Sequence, residues 1–304
     1  MTIQEQAVLP EKEQKPTMDN DNIQDVPRIV IKPLKGWVSL ELREIWQFRE
    51  LLYFFVWRDI KVRYKQTILG AAWAIIVPFL DMVVFSLFFG YLAGMPSDGV
   101  PYPIWNFTAQ VPWRLFANGM TQASSSLVMS AQMIKKIYFP RIVMPTAATL
   151  ASLVDFILAF AVLLLMLAVY GFWPTTKMVW IPIYTFLALI TSVGAGLWLS
   201  AMNVQFRDVR YTVPFLERML YFLTPIVYPS GLITEKLPEN LQFLTYFYYL
   251  NPMVSVVDGF RWALLDTDTN PEAKIIISFV SALMLLASGA FYFRRMEKTF
   301  ADVA

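Results

Sequence analysis

Apolar positions along this chain gather into long uncharged runs, separated by short basic or proline-rich segments. About 20 apolar residues cross a bilayer as a helix, and six stretches come close to or pass that length. Residues 68–93 contain only Asp81, 103–134 only Arg114 and 146–173 only Asp155, while 178–206 and 275–293 carry no charge and 211–234 holds Glu217 and Arg218 near one end. The pattern predicts an all-helical membrane protein with six transmembrane helices. The second run is the most polar, with Gln110, Asn118, Gln122 and the Ser124, Ser125, Ser126 triplet, so it is expected to face protein or water, not lipid.

Two segments depart from plain spans. Over residues 41–59, Leu42, Ile45, Trp46, Leu52, Tyr53 and Val56 follow helical spacing, with Glu41, Glu44, Gln47 and Glu50 elsewhere. This predicts an amphipathic helix lying in the membrane interface ahead of the first span. Between the fifth and sixth runs, Leu237 to Leu250 and Pro252 to Leu265 are each too short and too often interrupted to cross. They read as outer-side re-entrant helices, tolerated only against protein or a cavity.

Charge then sets the orientation. Of the 25 Lys and Arg, only Arg114, Lys177, Lys236, Arg261 and Lys274 fall on one side of the predicted spans. The remainder fall on the side that carries both termini, so both termini are expected in the cytoplasm. Residues 1–35 are polar and proline-broken with no apolar core of the signal-peptide kind, and read as a disordered cytoplasmic tail. Residues 36–304 form the membrane domain.

Composition excludes much chemistry. The chain is 57% hydrophobic and 16% charged, and a net charge of +2 gives no field that would favour nucleic acid. With no histidine and no cysteine, the usual zinc sites, a His-activated nucleophile and disulfides are outside its means. No G-x-x-x-x-G-K-[ST] occurs, so any ATP hydrolysis must come from another chain.

Ionisable groups inside a membrane cost roughly 2.5–3.5 kcal/mol each and persist for a purpose. Asp81 and Asp155 are read first as helix-packing hydrogen bonds to Ser, Thr or backbone on a neighbouring span, with a proton or ligand site as the alternative. Arg114 is read as snorkelling to the outer headgroups. GYLAG, with Gly90 and Gly94, matches a close helix-packing signature. Tyr221, Phe222, Tyr228, Phe243, Tyr246, Phe247, Tyr248 and Tyr249 crowd the outer half of the fifth span and the segment after it. They suit either interfacial anchoring or a passage whose rings stack weakly on sugars.

WRDIKVRYKQTILGAAW (57–73) closely resembles the start of the membrane subunits of polysaccharide-exporting ABC transporters, the O-antigen and teichoic acid exporters. IKKIYFPRIVMP (134–145), NVQFRDVRYTVPF (203–215), LTPIVYP (223–229), LNPMVSVVDGFRWALL (250–265) and the tail ending FRRMEKTFADVA are similar to that family's motifs in the same order, over roughly residues 40–304. The acidic tail before residue 35 is longer than the family pattern.

The resemblance implies a homodimer of six-span permease subunits in the bacterial inner membrane, with a polysaccharide path between them. It also implies two copies of a separate ATPase subunit that carry ATP and Mg, this chain holding no cofactor. By resemblance Arg58, Asp59, Lys61, Arg63, Tyr64 and Lys65 form a cytoplasmic gate for the lipid-pyrophosphate end of the substrate, or else anchor in headgroups. Lys135, Lys136, Ile137, Tyr138, Phe139, Pro140 and Arg141 correspond to a coupling helix with an exposed aromatic anchor that docks on the ATPase, or else to a membrane-surface helix. Tyr221, Phe222, Pro225, Tyr228, Pro229 and Asn251 fall at the periplasmic gate and glycan path.

The expected function is export of lipid-linked polysaccharide, O-antigen first, with teichoic acid, capsular polysaccharide, or drug and small-lipid export as alternatives. A membrane glycan-processing enzyme would need paired carboxylates, for which only Asp258, Asp266 and Asp268 are on offer. A structural scaffold is disfavoured by the re-entrant segment.

Overall fold

The computed structural model describes residues 46–65, 72–136, 139–236, 238, 241–269 and 273–300. The predicted tail, and the part of the interfacial helix before Trp46, lie outside the described residues. Among those described, every regular element is helical.

Helix α1 spans Arg49–Tyr64 and stops where Lys65 turns extended. Helix α2 spans Trp73–Phe85 and runs on into a π-helical stretch over Ser86–Leu92. Then come α3 (Tyr102–Met129), the short α4 (Ala131–Ile134) and α5 (Val143–Tyr170). Gly171, at φ +80°, ends α5 in the left-handed conformation that a Cβ penalises. After a 3₁₀ turn over Thr176–Trp180 follow α6 (Ile181–Gln205) and α7 (Val209–Leu223). Then follow α8 (Gly231–Lys236), α9 (Leu244–Tyr248) and α10 (Pro252–Leu265), and α11 (Lys274–Met296) is the last long helix.

Among the described residues, four helical stretches are long and apolar enough to cross a membrane: 73–92, 143–170, 176–205 and 274–296. They coincide with four of the six predicted spans. The other two differ for physical reasons. Helix α3 is 28 residues long but carries the polar run noted above, which lowers its hydropathy. Helix α7 ends at Leu223 because Thr224 precedes Pro225 and takes the extended conformation that a following proline imposes. At 15 residues it is about 22 Å long, short of the ~30 Å hydrocarbon core.

Helix α3 is the hub, packing against α5 and α6, with α2, α7 and α10 at its edges. Gly119 makes the three-helix contact possible, because a Cβ there would run into Ser192 Oγ and lie 3.0 Å from Thr149 Cγ2. Ser192 Oγ donates to Phe116 O at 3.0 Å, and Ser152 and Thr149 reach toward the same helix. Such bonds between spans are worth only about 0.6 kcal/mol each, so close packing holds the hub. Gly119→Val should overpack it by about 1–3 kcal/mol and lower the thermal midpoint of the purified protein in detergent, while Gly119→Ala should do so less.

Gly90 and Gly94 do not form the helix-packing pair the sequence suggested. Gly90 lies against the Tyr102 ring, whereas Gly94, at φ +60°, is past the helix end with nothing within 4 Å of its would-be Cβ.

The core has two centres. One joins α3, α5, α6 and α10 around Trp105, Phe116, Leu187 and Phe260. The other gathers Phe55, Leu127, Ile134, Phe139, Val143, Val204, Phe293 and Phe300. The second centre brings together the segments next to the basic loops that the sequence places on one side.

Helix α1 differs from the expected flat interfacial helix. It packs chiefly on α5, and its contacts step along that helix. Phe55 meets the Phe139 ring at 5.6 Å just before α5 begins, Arg58 to Arg63 share a cavity with Ala148, and Arg63 reaches Asp155. It inclines along the span instead of lying across it.

Candidate functional site

One face of α3 is half-buried and polar. Arg114, Asn118, Gln122 and Ser126 recur every four residues, in register with the buried Gln110 before them and with Ser130 just past the helix end, and beside them run Thr121 and Ser125. Positions four apart share one helix face. From Arg114 to Ser126 the half-buried side chains of α3 are these polar ones, and the apolar ones are buried. A face turned to lipid would show the reverse.

Three cavities follow this stripe in succession. The first, about 270 Å³, is lined by Asp81, Phe85, Gln110, Trp113, Arg114, Asn118, Glu217, Arg218, Tyr221 and Phe222. Next comes a cavity of about 290 Å³ that shares Arg114 and Asn118 with it and adds Arg63, Tyr64, Gln122 and Asp155. The third, about 450 Å³, shares Arg63 and Gln122 with the second and adds Arg58, Asp59, Ser125, Ser126 and Ser130. From Gln110 to Ser130 an α-helix rises about 30 Å, the depth of a hydrocarbon core.

An ion pair stands at each junction. Arg114 pairs with Asp81 of α2, and Arg63 pairs with Asp155 of α5. Both aspartates therefore pair with arginines, where the sequence favoured a Ser, Thr or backbone partner, and Arg114 turns to α2 and does not snorkel outward. For Arg114 and Asp81 the signal available in the sequence was a pair of isolated opposite charges in neighbouring predicted spans.

The expected gate residues of α1 divide. Arg58 donates from Nε and Nη2 to Asp59 Oδ1 at 2.9 and 2.8 Å and sits over the Phe55 ring, while Lys61 Nζ sits 4.3 Å from the Trp57 ring centroid. Lys65 caps the helix through its backbone N–H to Lys61 O. Arg63 also donates to Gln122 Oε1, and Tyr64 Oη donates to Asp155 Oδ1.

In the segment expected to couple to an ATPase, Ile137 and Tyr138 lie outside the described residues. Lys135 and Lys136 form an exposed turn after α4. Phe139 is buried against Phe55, so it is not an exposed anchor, and Pro140 is buried beside it. Arg141 is tied to the end of α11, its backbone N–H donating to Glu297 Oε1 at 2.8 Å and its Nη1 to Glu297 O at 2.6 Å.

The residues expected at the periplasmic gate are organised by one side chain to which sequence reasoning gave no role. Arg261 of α10 is 0% exposed. It donates to Pro225 O at 2.6 Å, Ile226 O at 2.9 Å and Trp105 O at 3.4 Å, with its guanidinium 3.3 Å from the Trp105 ring centroid. Tyr102 Oη donates to Val227 O and Asn106 Nδ2 to Ile226 O, so the strap 224–228 is held by side chains of α3 and α10. Tyr228 Oη donates to Phe222 O at 2.9 Å, and Pro229 follows it at the end of the strap. Asn251 caps α10, accepting from Met253 N–H and donating to Thr224 Oγ1 at 3.0 Å.

Tyr221 stacks on Phe85 at 5.5 Å and meets Trp113 and Phe222 edge-on, whereas Phe222 is exposed. The carboxylates an enzyme would need are dispersed. Asp258 is fully buried beside Tyr249, Asp266 pairs with Lys177, and among the described residues no three acidic side chains gather as a metal site would require.

The chain belongs to the ABC-2 type transporter family, whose model matches residues 50–265. It is thus a multi-pass membrane protein of the permease class. Among curated proteins it is 29% identical over 259 residues to the O-antigen export system permease protein RfbA of Myxococcus xanthus, covering 84% of this chain and 96% of the relative. It is also 29% identical over 255 residues to the Klebsiella pneumoniae protein of the same name, covering 84% and 95%. To the polysialic acid transport protein KpsM of Escherichia coli it is 23% identical over 244 residues, covering 79% and 91%. The family resemblance seen in the motifs is therefore correct.

Proposed function

We propose that this chain is the membrane subunit of an ATP-driven exporter of lipid-linked polysaccharide, most closely O-antigen, in a bacterial inner membrane, and that the polar face of α3 is part of the glycan path. The carrying observation is that face: a membrane-depth row of amide, hydroxyl and guanidinium groups on the hub helix of the fold. Sugars offer many hydroxyls and weakly apolar ring faces, so a row of planar polar groups with Trp113, Tyr221 and Phe222 at one end binds them repeatedly without a deep well. The names of the RfbA and KpsM relatives support a glycan cargo.

In this reading α3 and α7 complete six spans, both termini are cytoplasmic, and two copies of the chain pair with two copies of a separate ATPase subunit that holds ATP and Mg. The α1 residues Arg58 to Lys65 face the entering lipid-pyrophosphate, and the strap from Pro225 to Pro229 with Asn251 forms the periplasmic gate. Capsular polysaccharide is the second reading, favoured by the likeness to the polysialic acid transport protein.

Among the described residues of the 135–141 segment, the exposed Lys135 and Lys136 turn is the part open to an acidic groove on the ATPase, since Phe139 and Arg141 are engaged within the chain. The test is co-expression with the candidate ATPase. The wild type should copurify with it and restore surface polysaccharide in cells lacking this permease. Lys135→Glu with Lys136→Glu should lose at least about tenfold in complex yield, the effect of reversing two interface charges. A wild-type chain that binds no ATPase and restores no export would overturn the reading.

A further inference from the structure

Arg63 and Tyr64, adjacent at the end of α1, converge on a single carboxylate. Arg63 Nη1 donates to Asp155 Oδ2 and Tyr64 Oη to Asp155 Oδ1, so each oxygen of Asp155 has its own donor. The second guanidinium nitrogen of Arg63 donates to Gln122 Oε1 and is thereby held in place by the polar face of α3. Arg58 takes no part, since Asp59 occupies its fork. The three side chains line the cavity of about 290 Å³ at its junction with the larger one beyond. A guanidinium beside a hydroxyl, with the fork orientation fixed by a third group, is a receptor for any oxyanion that presents two oxygens on one face, phosphate above all.

In the export reading Arg63 and Tyr64 meet the phosphate of the lipid-linked substrate; we propose that Asp155, held between them, is a built-in stand-in for that phosphate which the arriving ligand displaces. The inference rests on the export reading and adds what regulates its entry point. With Asp155 in the clamp, the end of α1 is tied to α5 and the passage between the two cavities is bridged. A phosphate that takes over Arg63 and Tyr64 unties α1 from α5 in the act of binding. The freed carboxylate stays in a cavity that Arg114 and Asn118 also line, so it keeps polar neighbours. Entry and opening become one event, reserved for a substrate that carries the charged end.

The test is binding of a fluorescent polyprenyl pyrophosphate to the purified permease in discs of neutral phospholipid, with the uncharged polyprenol as control. The wild type should bind the pyrophosphate and not the alcohol. Asp155→Asn, which removes the competitor and keeps the shape, should bind about 5- to 150-fold more tightly, the usual range of coupling between linked equilibria. The exchange Arg63→Asp with Asp155→Arg restores the ion pair and serves as the folding control. It should keep the wild-type thermal midpoint yet lose pyrophosphate binding, because the clamp side now carries the negative charge.

A wild type that binds no pyrophosphate, an Asp155→Asn variant with unchanged affinity, or an exchanged pair that binds as the wild type does would each overturn the clamp. If binding behaves as expected but the ATPase complex neither forms nor responds to the pyrophosphate, the clamp stands and the export reading falls.

Discussion

Arg261→Ala should cost the protein several kcal/mol, about 1–3 for each buried carbonyl left short of a donor, and so leave little folded material in the membrane. Arg261 is the only described link from α10 to the carbonyls of Pro225 and Ile226, and it also covers Trp105. Without it these acceptors, which no helix satisfies, are buried with fewer donors, and Asp258 one turn away loses the nearest cation on its own helix. Total stabilities of 5–15 kcal/mol are typical, so a loss of this size is decisive. Arg261→Lys should recover only part, because an ammonium cannot fork between two carbonyls while lying flat on an indole. The thermal midpoint in detergent and the yield of monodisperse protein measure both variants.

Asn118→Trp should stop polysaccharide export while sparing the fold and the ATPase complex. Asn118 lies on the open face of α3 and lines two of the three cavities, so an indole there fills the groove where it must stay continuous. Expected is a drop of at least about tenfold in surface polysaccharide, as for a plugged pore lining, with lipid-linked polymer accumulating inside the cell. Asn118→Ala should export nearly normally. Leu165→Trp is the control: Leu165 is 68% exposed on the apolar face of α5, so a large ring there meets lipid. Equal export by wild type and Asn118→Trp would remove the α3 face from the path.

The apolar spans were plain in the sequence. Val162 to Leu167 and the uncharged run through Gly194 are legible because burial in lipid needs only composition and length. The polar character of α3 was legible too, and its contact with protein or water was read correctly. Its function as a continuous face was not, because that needs the other helices in place. Long-range pairing was the chief loss. Arg63 and Asp155 stand 92 positions apart, and nothing local in either segment marks the other. Arg261 was read only as one basic residue within the segment Pro252 to Leu265, because two of its carbonyl partners, Pro225 O and Ile226 O, are exposed by the break after α7 and the third, Trp105 O, lies on α3 far along the chain. GYLAG misled because spacing alone cannot show that the helix ends before Gly94. The lie of α1 depended on Phe55 meeting Phe139 and on Asp155, both far along the chain.

The Asp81 and Arg114 pair also bears on how the chain enters the bilayer during synthesis. An isolated α3, with Gln110, Arg114, Asn118 and Gln122 exposed, is a poor candidate for solitary release into lipid, since a central arginine alone costs roughly 2.5–3.5 kcal/mol on the insertion scale. The preceding α2 is strongly apolar but for Asp81. Joined by nine residues, from Ala93 to Pro101, the two helices can leave the translocation machinery as one hairpin whose charges are already neutralised. Asp81→Leu would then be expected to delay the insertion of α3, a helix it does not belong to, until α5 arrives to cover it.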